Sequence, residues 1–266
     1  MELNKLYCEN CLETMSRMPD NFIDLTVTSP PYDNLRNYNG YDFDFENIAK
    51  ELFRVTKKGG VVVWVVGDAT INGSETGTSF KQALYFKGIG FNLDTMIYGK
   101  TGGMFSNNIS YPNIFEYMFI FSKGLKKTIN LIKDKKNKGF GKLYISHSRD
   151  KNGNQKYSPT QTLTPEFSFR GNIWFYDTGG SVSDDNISHQ HPAIFPEDLA
   201  RDHIKSWSNE GDLIYDPFMG SGTTAKMAHL LNRNWIGSEI SSEYCKIAEK
   251  RIEPYLMQQT INFNKK

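Results

Sequence analysis

The sequence has little cysteine, and this excludes two kinds of stabilised fold. Its 266 residues include three cysteines, Cys8, Cys11 and Cys245, which are too few for a disulfide framework. Cys8 and Cys11 form a lone Cys-x-x-Cys pair, and no second pair is present to complete a zinc site. We therefore predict three reduced thiols and no bound metal, and we interpret residues 189–191 (His-Gln-His) as part of a loop.

The chain also lacks a long hydrophobic run. Its longest aliphatic and aromatic stretch, residues 61–66, is far too short to cross a bilayer. Residues 1–4 (Met-Glu-Leu-Asn) do not have the basic and then apolar layout of a signal peptide. Because 38% of the residues are hydrophobic and 14% are aromatic, a real core is available. We expect a soluble, cytoplasmic protein.

Net charge is close to zero, but the charge is unevenly distributed. Residues 123–156 hold eleven basic and two acidic side chains, a net charge of +9, so the rest of the chain carries −8 given the total of +1. Such segregation is expected when one surface contacts phosphates and the remainder does not. A solvated, lysine-rich insert is the alternative interpretation.

Hydrophobic periodicity predicts strands that alternate with helices. We predict strands over residues 22–27, 61–66, 91–98, 117–121, 213–215 and 235–240, and helices over residues 44–56, 80–87 and 223–231. Another helix opens at Pro196, and the last helix, capped by Ser241 or Ser242, ends near Leu256. The alternation implies an α/β fold with a doubly wound, mainly parallel sheet. Residues 122–191, which include Trp174, lack periodicity and are predicted to be an insert outside the sheet.

A glycine turn follows the predicted strand at residues 213–215. Residues 220–225 (Gly-Ser-Gly-Thr-Thr-Ala) match G-x-G-x-x-[GA] between a strand and a helix, which allows close backbone approach to a ligand. Glu239 lies 19 residues past Gly220, where its carboxylate is suited to ribose hydroxyls. A dinucleotide dehydrogenase fits these features, whereas a P-loop is excluded because no Gly-Lys-[Ser/Thr] follows. Asp216, before the glycines, favours a cofactor with a cationic amine, since a carboxylate would repel pyrophosphate.

A stiff polar turn follows the predicted strand at residues 22–27. Residues 28–32 read Thr-Ser-Pro-Pro-Tyr. Pro30 and Pro31 fix the backbone and lack N–H donors, so their carbonyls are available as acceptors. Ser29 adds a hydroxyl acceptor, and Tyr32 adds a ring for stacking. This combination suits the exocyclic amine of a nucleobase that has been flipped out of a duplex. Both turns end strands, where ligands bind in doubly wound sheets, so we predict one shared cleft.

The two segments resemble the motifs of the DNA amino-methyltransferases, which use S-adenosyl-L-methionine. Residues 216–224 (Asp-Pro-Phe-Met-Gly-Ser-Gly-Thr-Thr) resemble the cofactor loop of that family, and the target-amine motif precedes it, as in one permuted branch. The resemblance implies a Rossmann-like methyltransferase with a catalytic half over residues 1–122, a basic target-recognition insert over residues 123–190 and a cofactor-binding half over residues 191–266.

Site residues follow from the motifs and from this resemblance. We expect base contacts from Ser29, Pro30, Pro31 and Tyr32. We expect cofactor contacts from Asp216, Phe218, Gly220, Gly222 and Thr223, with Glu239 on the ribose. Asn10 stands where the family usually has an Asp that binds the cofactor's adenine amine. We expect DNA contacts from Arg36, Lys133, Lys135, Lys136, Lys138 and Arg149.

The form Ser-Pro-Pro-Tyr resembles that of N4-cytosine enzymes. The implied activity is methyl transfer to the N4 amine of cytosine, by direct in-line displacement after base flipping, in a specific sequence of double-stranded DNA. C5 methylation is excluded because no cysteine follows a proline. N6-adenine methylation, amino-methylation of protein or RNA, and DNA binding without catalysis remain alternatives. The implied setting is bacterial or phage, as a monomer or homodimer, alongside a cognate restriction endonuclease that acts separately.

Overall fold

The computed structural model describes residues 1–31, 43–102, 111–178, 183, 187 and 196–263. Its strands are β1 (Lys5–Tyr7), β2 (Ile23–Thr28), β3 (Thr56–Val66), β4 (Thr70–Ile71), β5 (Ser74–Glu75), β6 (Asn92–Lys100), β7 (Phe115–Ser122), β8 (Lys133–Lys136), β9 (Leu143–Arg149), β10 (Gln155–Leu163), β11 (Phe167–Phe169), β12 (Ile173–Tyr176), β13 (Leu213–Asp216) and β14 (Asn234–Ser238). Its helices are α1 (Cys11–Ser16), α2 (Phe45–Val55), α3 (Thr78–Gly88), α4 (Glu197–Trp207), α5 (Thr223–Leu230) and α6 (Ser242–Phe263).

One sheet organises the main unit, which comprises residues 1–130 and 172–266. Its strand order is β1-β14-β13-β2-β3-β7-β6-β12. Neighbouring strands are parallel except at β7, which is antiparallel to both β3 and β6. The predicted α/β fold with a mainly parallel sheet is therefore confirmed. Because β1, β14, β13 and β2 are parallel neighbours, their carboxyl ends lie side by side.

Helices pack against both faces of this sheet. On one face, Trp64 and Val66 of β3 join Ile48 and Leu52 of α2 in the core, and α2 also contacts α1 and α3. On the other side, α4 contacts β2, β3 and α5, and α5 contacts α6. Burial on both faces explains why residues 61–66 are apolar without alternation.

Two helices begin at the side-chain caps that the sequence predicts. Asp44 accepts a hydrogen bond from the Asn47 amide at 3.3 Å before α2, and the Ser241 hydroxyl accepts one from the Tyr244 amide at 3.4 Å before α6. Such oxygens satisfy amides that have no partner inside the helix. None of the helices in the described part of the chain combines the length and apolar character of a membrane span.

The prediction that residues 122–191 lie outside the sheet is wrong for β12. This strand pairs in parallel with β6 at the edge of the main sheet. Trp174, on β12, is 5% exposed, and its ring centroid lies 4.7 Å from that of His203 on α4. A strand of four residues is too short to show a period, so the sequence pattern missed it.

A second compact unit comprises residues 131–171, within the predicted 123–190 insert. Two antiparallel pairs build it, β8 with β11 and β9 with β10. Wherever burial is described in this unit, no residue is buried.

The prediction of three reduced thiols is wrong for one pair. Cys8 and Cys245 are joined as a disulfide, with Cα atoms 6.0 Å apart. Parallel pairing of β1 with β14 places Cys8 beside the first turn of α6, a proximity that a separation of 237 positions conceals in the sequence. Cys11 is a free, buried thiol, and burial raises its pKa to about 12. In the described ranges, no group of three or more His, Cys, Asp or Glu residues is arranged to hold a metal.

Candidate active site

The cofactor loop, by which we mean residues 216–224, turns the chain from β13 into α5. Gly222 precedes α5 with a left-handed φ of +83°. A Cβ atom at this position would lie 3.0 Å from Ile252 Cδ1 and 3.2 Å from Ala248 Cβ, both on α6. Other residues would be strained here and would crowd α6, so the turn requires glycine.

Asp216 ends β13 as a buried carboxyl, 1% exposed. Its Oδ1 accepts hydrogen bonds from the Thr28 hydroxyl at 2.6 Å and from the Phe218 amide at 3.0 Å. Burial nevertheless outweighs these donors and raises its pKa from 3.8 to about 6. At neutral pH the group is therefore mostly ionised, as binding of a cationic amine requires.

Glu239 follows β14 and holds the other side of the loop. Its Oε2 accepts from the Gly220 amide at 2.9 Å, and its Oε1 accepts from the Ser241 amide at 2.9 Å. Burial raises its pKa as well. Each carboxylate oxygen has a second lone pair, so these bonds leave acceptor capacity for ribose hydroxyls. Its contact with the Gly220 amide was not predicted from the sequence.

Aromatic side chains pack around Phe218 of the cofactor loop. Phe218 is half-buried, and its ring centroid lies 5.6 Å from that of Phe43 and 6.2 Å from that of Trp64, in edge-on arrangements. The sequence indicates a flat apolar surface at Phe218 but does not reveal Phe43, which precedes a helix without any distinctive motif. Contacts of this kind fix the plane of the ring.

The target-base motif, residues 29–32, begins directly where β2 ends. Ser29 and Pro31 are half-buried and Pro30 is buried, whereas Tyr32 and Arg36 lie outside the described residues. Because β2 and β13 are parallel neighbours, the two motifs follow adjacent strand ends, as the shared cleft predicted from the sequence requires.

Two hydrogen bonds join the end of β2, directly before the target-base motif, to the cofactor loop. Thr28, the residue before Ser29, donates its hydroxyl to Asp216, and the Thr224 hydroxyl donates to the Val27 carbonyl at 3.1 Å. Neither role of these threonines was predicted from the sequence. The only signal in the sequence was the position of Thr28 at the start of the Ser-Pro-Pro-Tyr segment.

Two predicted cofactor residues already have structural partners. The Asn10 side-chain oxygen caps α1 by accepting from the Leu12 amide at 2.9 Å. The Thr223 hydroxyl is buried and accepts from Arg251 at 2.9 Å. The Asn10 oxygen keeps a second lone pair and the Thr223 hydroxyl keeps its own O–H donor, so these structural bonds leave both residues able to contact a cofactor.

The predicted DNA contacts beyond Arg36 are all in the second unit. Lys133, Lys135 and Lys136 lie on β8, Lys138 follows it, and Arg149 ends β9. The Lys133 ammonium lies 4.7 Å from the centroid of the Phe169 ring across the β8–β11 pair.

Comparison with known proteins relates the chain to DNA methylases. The N6/N4 methyltransferase family model, described as DNA methylase, matches residues 23–250. The chain is 63% identical over 239 residues to the orphan methyltransferase M.BamHII of Bacillus amyloliquefaciens, covering 88% of this chain and 90% of that protein. It is 29% identical over 258 residues to the type II methyltransferase M.BglII of Bacillus subtilis, covering 92% and 68%.

Solved structures share the fold. The PvuII DNA methyltransferase, described as cytosine-N4-specific, superposes with a TM-score of 0.68 at 19% identity, covering 93% of this chain and 85% of that one. The M1.HpyAVI–SAM complex superposes with a TM-score of 0.59 at 21% identity, covering 93% and 98%. The dehydrogenase alternative has no support from these matches.

Proposed function

Because the chain belongs to the N6/N4 family of DNA methylases, we propose that it transfers a methyl group from S-adenosyl-L-methionine to the N4 amine of cytosine in DNA. The observation that carries this proposal is the hydrogen bond between Thr28 and Asp216. It ties the segment suited to an amine to the loop suited to a cationic cofactor. A reaction between two bound groups needs this proximity.

The cofactor half supplies a cradle that fits S-adenosyl-L-methionine. When bound, this cofactor supplies a methyl group on a positively charged sulfur. Asp216 is the proposed partner of its amine, Glu239 of its ribose, and Phe218 of its adenine or ribose face. Gly220 and Gly222 leave room for it, Thr223 contacts it, and Asn10 accepts from its adenine amine. The SAM-bound M1.HpyAVI structure, which shares the fold, supports this assignment.

The target-base motif orients the amine. Ser29 and the carbonyls of Pro30 and Pro31 accept from its N–H groups, and Tyr32 stacks on the base. Because the amine lone pair is delocalised into the ring, these acceptors are needed to favour a pyramidal nitrogen with its lone pair exposed. Bound S-adenosyl-L-methionine would supply the methyl group to this lone pair, its sulfur would keep the electrons of the broken carbon–sulfur bond, and the proton of the methylated amine would pass to solvent. Positioning does most of this work.

The second unit is the proposed target-recognition element. Residues 131–171 carry nine Lys and Arg against three Asp and Glu. Arg149 pairs with Gln155 and His147 with Tyr157 across β9 and β10, so one face of a two-stranded ribbon presents hydrogen-bonding and aromatic side chains. A ribbon of this width fits the major groove of duplex DNA. Lys133, Lys135, Lys136 and Lys138 are the proposed phosphate contacts, with Arg36 near the flipped nucleotide.

The test is the identity of the methylated base. Purified protein is incubated with DNA and S-adenosyl-L-methionine labelled on the methyl group, and the DNA is hydrolysed to nucleosides for mass spectrometry. We expect label in N4-methylcytosine. Label in N6-methyladenine would assign the other amine that the matched family covers, and label in neither nucleoside would contradict the proposal. RNA and protein, incubated in parallel, are expected to remain unlabelled.

A further inference from the structure

A buried group of charged side chains, which we call the ion cluster, lies against the cofactor loop. It consists of Glu197 on α4, Lys226 on α5 and Arg251 on α6, whose side chains are 8%, 2% and 0% exposed. Burying charges is costly, and replacing such groups by apolar ones is often neutral or stabilising. The cluster is therefore a weak explanation of stability, and its contacts point to another role.

Arg251 donates hydrogen bonds to the cofactor loop on both sides of the turn at Gly222. Its Nη1 donates to the Ser221 carbonyl at 2.9 Å, to the Ser221 hydroxyl at 3.1 Å and to the Thr223 hydroxyl at 2.9 Å. These groups lie on both sides of Gly222. Because glycine has no side chain to restrict its backbone, a planar guanidinium with several fixed donors is well suited to hold this turn.

The Glu197 carboxylate in turn binds the Arg251 guanidinium. Its Oε1 accepts from Arg251 Nη2, from the Lys226 ammonium at 2.8 Å and from the Ser183 hydroxyl at 2.6 Å. The Lys226 ammonium also lies 5.0 Å from the centroid of the Tyr255 ring. Three helices thus converge on one carboxylate, which orients the guanidinium towards the loop.

We propose that Arg251 is a positioning residue that sets the shape of the cofactor loop, and that Glu197 acts through it. The inference rests on the proposed cofactor contacts of residues 220–223. By this inference, cofactor affinity depends on Glu197 and Arg251, although both are distant from the loop in sequence. Arg251 does not contact the reacting atoms in this scheme, so it affects cofactor binding more than the transfer step.

The test compares Arg251→Met and Arg251→Lys with the wild type. Equilibrium dialysis of labelled S-adenosyl-L-methionine, without DNA, gives Kd, and methyl transfer at saturating cofactor gives kcat. Since hydrogen bonds from a charged donor are lost, Arg251→Met is expected to raise Kd roughly ten- to a hundred-fold, with kcat little changed. Arg251→Lys keeps the positive charge but loses the planar set of guanidinium donors. Its Kd is therefore expected to lie between those of the wild type and Arg251→Met.

Three further variants separate a positioning role from an effect on stability alone. Leu52→Ala, in the core around α2, is the control that lowers the melting temperature without touching the cluster. Glu197→Gln alone is expected to raise Kd, and adding it to Arg251→Met should raise Kd no further, because Glu197 acts through Arg251. If Arg251→Met does not fold, Arg251→Lys and Glu197→Gln provide the same decision.

The outcomes are distinct. A wild-type Kd in any folded Arg251 variant would overturn the inference, as would a change in Kd that Leu52→Ala reproduces at a similar melting temperature. Failure of the wild type itself to bind the cofactor would instead refute the proposed cofactor loop, and the positioning role with it. Weakened binding confined to the Arg251 and Glu197 variants would support the assignment.

Discussion

The cofactor loop and the second unit, residues 131–171, are built in opposite ways. Asp216, Gly220 and Thr224 in the loop are buried, and each is held by a hydrogen bond from or to another element. In the second unit no residue of described burial is buried, and large side chains such as Tyr157 and Leu163 are 65% and 58% exposed. The first region is suited to fixing the geometry of a small ligand, as we propose for the cofactor, and the second exposes a surface suited to a large, charged partner such as DNA.

Burial of the ionised Asp216 carboxylate in the cofactor loop lowers the stability of the fold at neutral pH. Because burial raises the pKa of Asp216 from its ordinary 3.8 to about 6, the carboxyl group is harder to ionise in the folded state than in the unfolded chain. The contribution of this group to stability is therefore most favourable at low pH and is lost as pH rises from about 4 to about 6. At neutral pH the cost is about 3 kcal/mol. The exposed lysines of the second unit face no comparable burial, so substitutions there should leave stability nearly unchanged.

The largest effect is expected from Gly222→Val. Valine would be strained at a φ of +83° and would crowd Ile252 and Ala248, so cofactor binding should be lost and the melting temperature should fall. Calorimetric titration and thermal unfolding measure both effects. Gly211→Val is the matched control, because Gly211 has a φ of +82° but a Cβ atom added there would meet nothing within 4 Å. Equal cofactor binding in wild type and Gly222→Val would refute the placement of the loop.

The second-largest effect is expected from Ser29→Ala, which should lower turnover without changing cofactor affinity. Removing one positioned hydrogen bond at the transition state costs about 3 kcal/mol, or roughly a hundred-fold in kcat, while the Kd of S-adenosyl-L-methionine should stay the same. We expect a similar loss for Tyr32→Ala. Ser206→Ala, which removes a buried hydroxyl bonded to the Asp202 carbonyl at 2.7 Å, is the control for lost stability. Wild-type turnover in Ser29→Ala would contradict the role of the target-base motif.

A smaller and pH-dependent effect is expected from Asp216→Asn. In the wild type, protonation of Asp216 below about pH 6 removes the charge that we propose binds the cofactor amine, so affinity should be roughly tenfold weaker at pH 5 than at pH 7. Asparagine should weaken binding at pH 7 and flatten this profile. Burial also raises the pKa of Glu239, but this residue is the same in both proteins, so the difference between their profiles reports on Asp216. Titration calorimetry from about pH 5 to about pH 8 provides the measurement, and parallel profiles would exclude Asp216 as the titrating group.

Sequence patterns predicted those features that depend on neighbouring residues. The strands and helices around residues 44–66 and 213–240 show clear periods, and the two motifs stand next to strand ends. The patterns could not predict contacts that the fold creates between distant segments. Thr28 meets Asp216, Cys8 meets Cys245 and Trp174 meets His203 only because β1, β2 and β12 take their places in the sheet. Cys8 and Asp216 stand out in the sequence, but nothing near them in the chain indicates their partners.

The smallest effect on the reaction itself is expected in the second unit. Replacing Lys133, Lys135, Lys136 and Lys138 with Gln should weaken binding to any DNA sequence alike, because phosphates carry no sequence information. Each lost phosphate contact should reduce the slope of log affinity against log salt by about 0.9. Transfer at saturating DNA and the Kd of the cofactor should stay unchanged, because the catalytic residues remain intact.

The matched control neutralises four exposed lysines of α2, α3 and α6, namely Lys50, Lys81, Lys87 and Lys250, for the same change in net charge. Binding of cognate and unrelated duplexes is measured from about 50 to about 200 mM salt, the range over which such contacts change affinity strongly. A flatter slope in the first variant but not in the control would support phosphate contact by β8. If both variants behave alike, the effect is only that of overall charge. The DNA would then be held elsewhere, by Arg149, Arg170 or the exposed aromatic side chains between them.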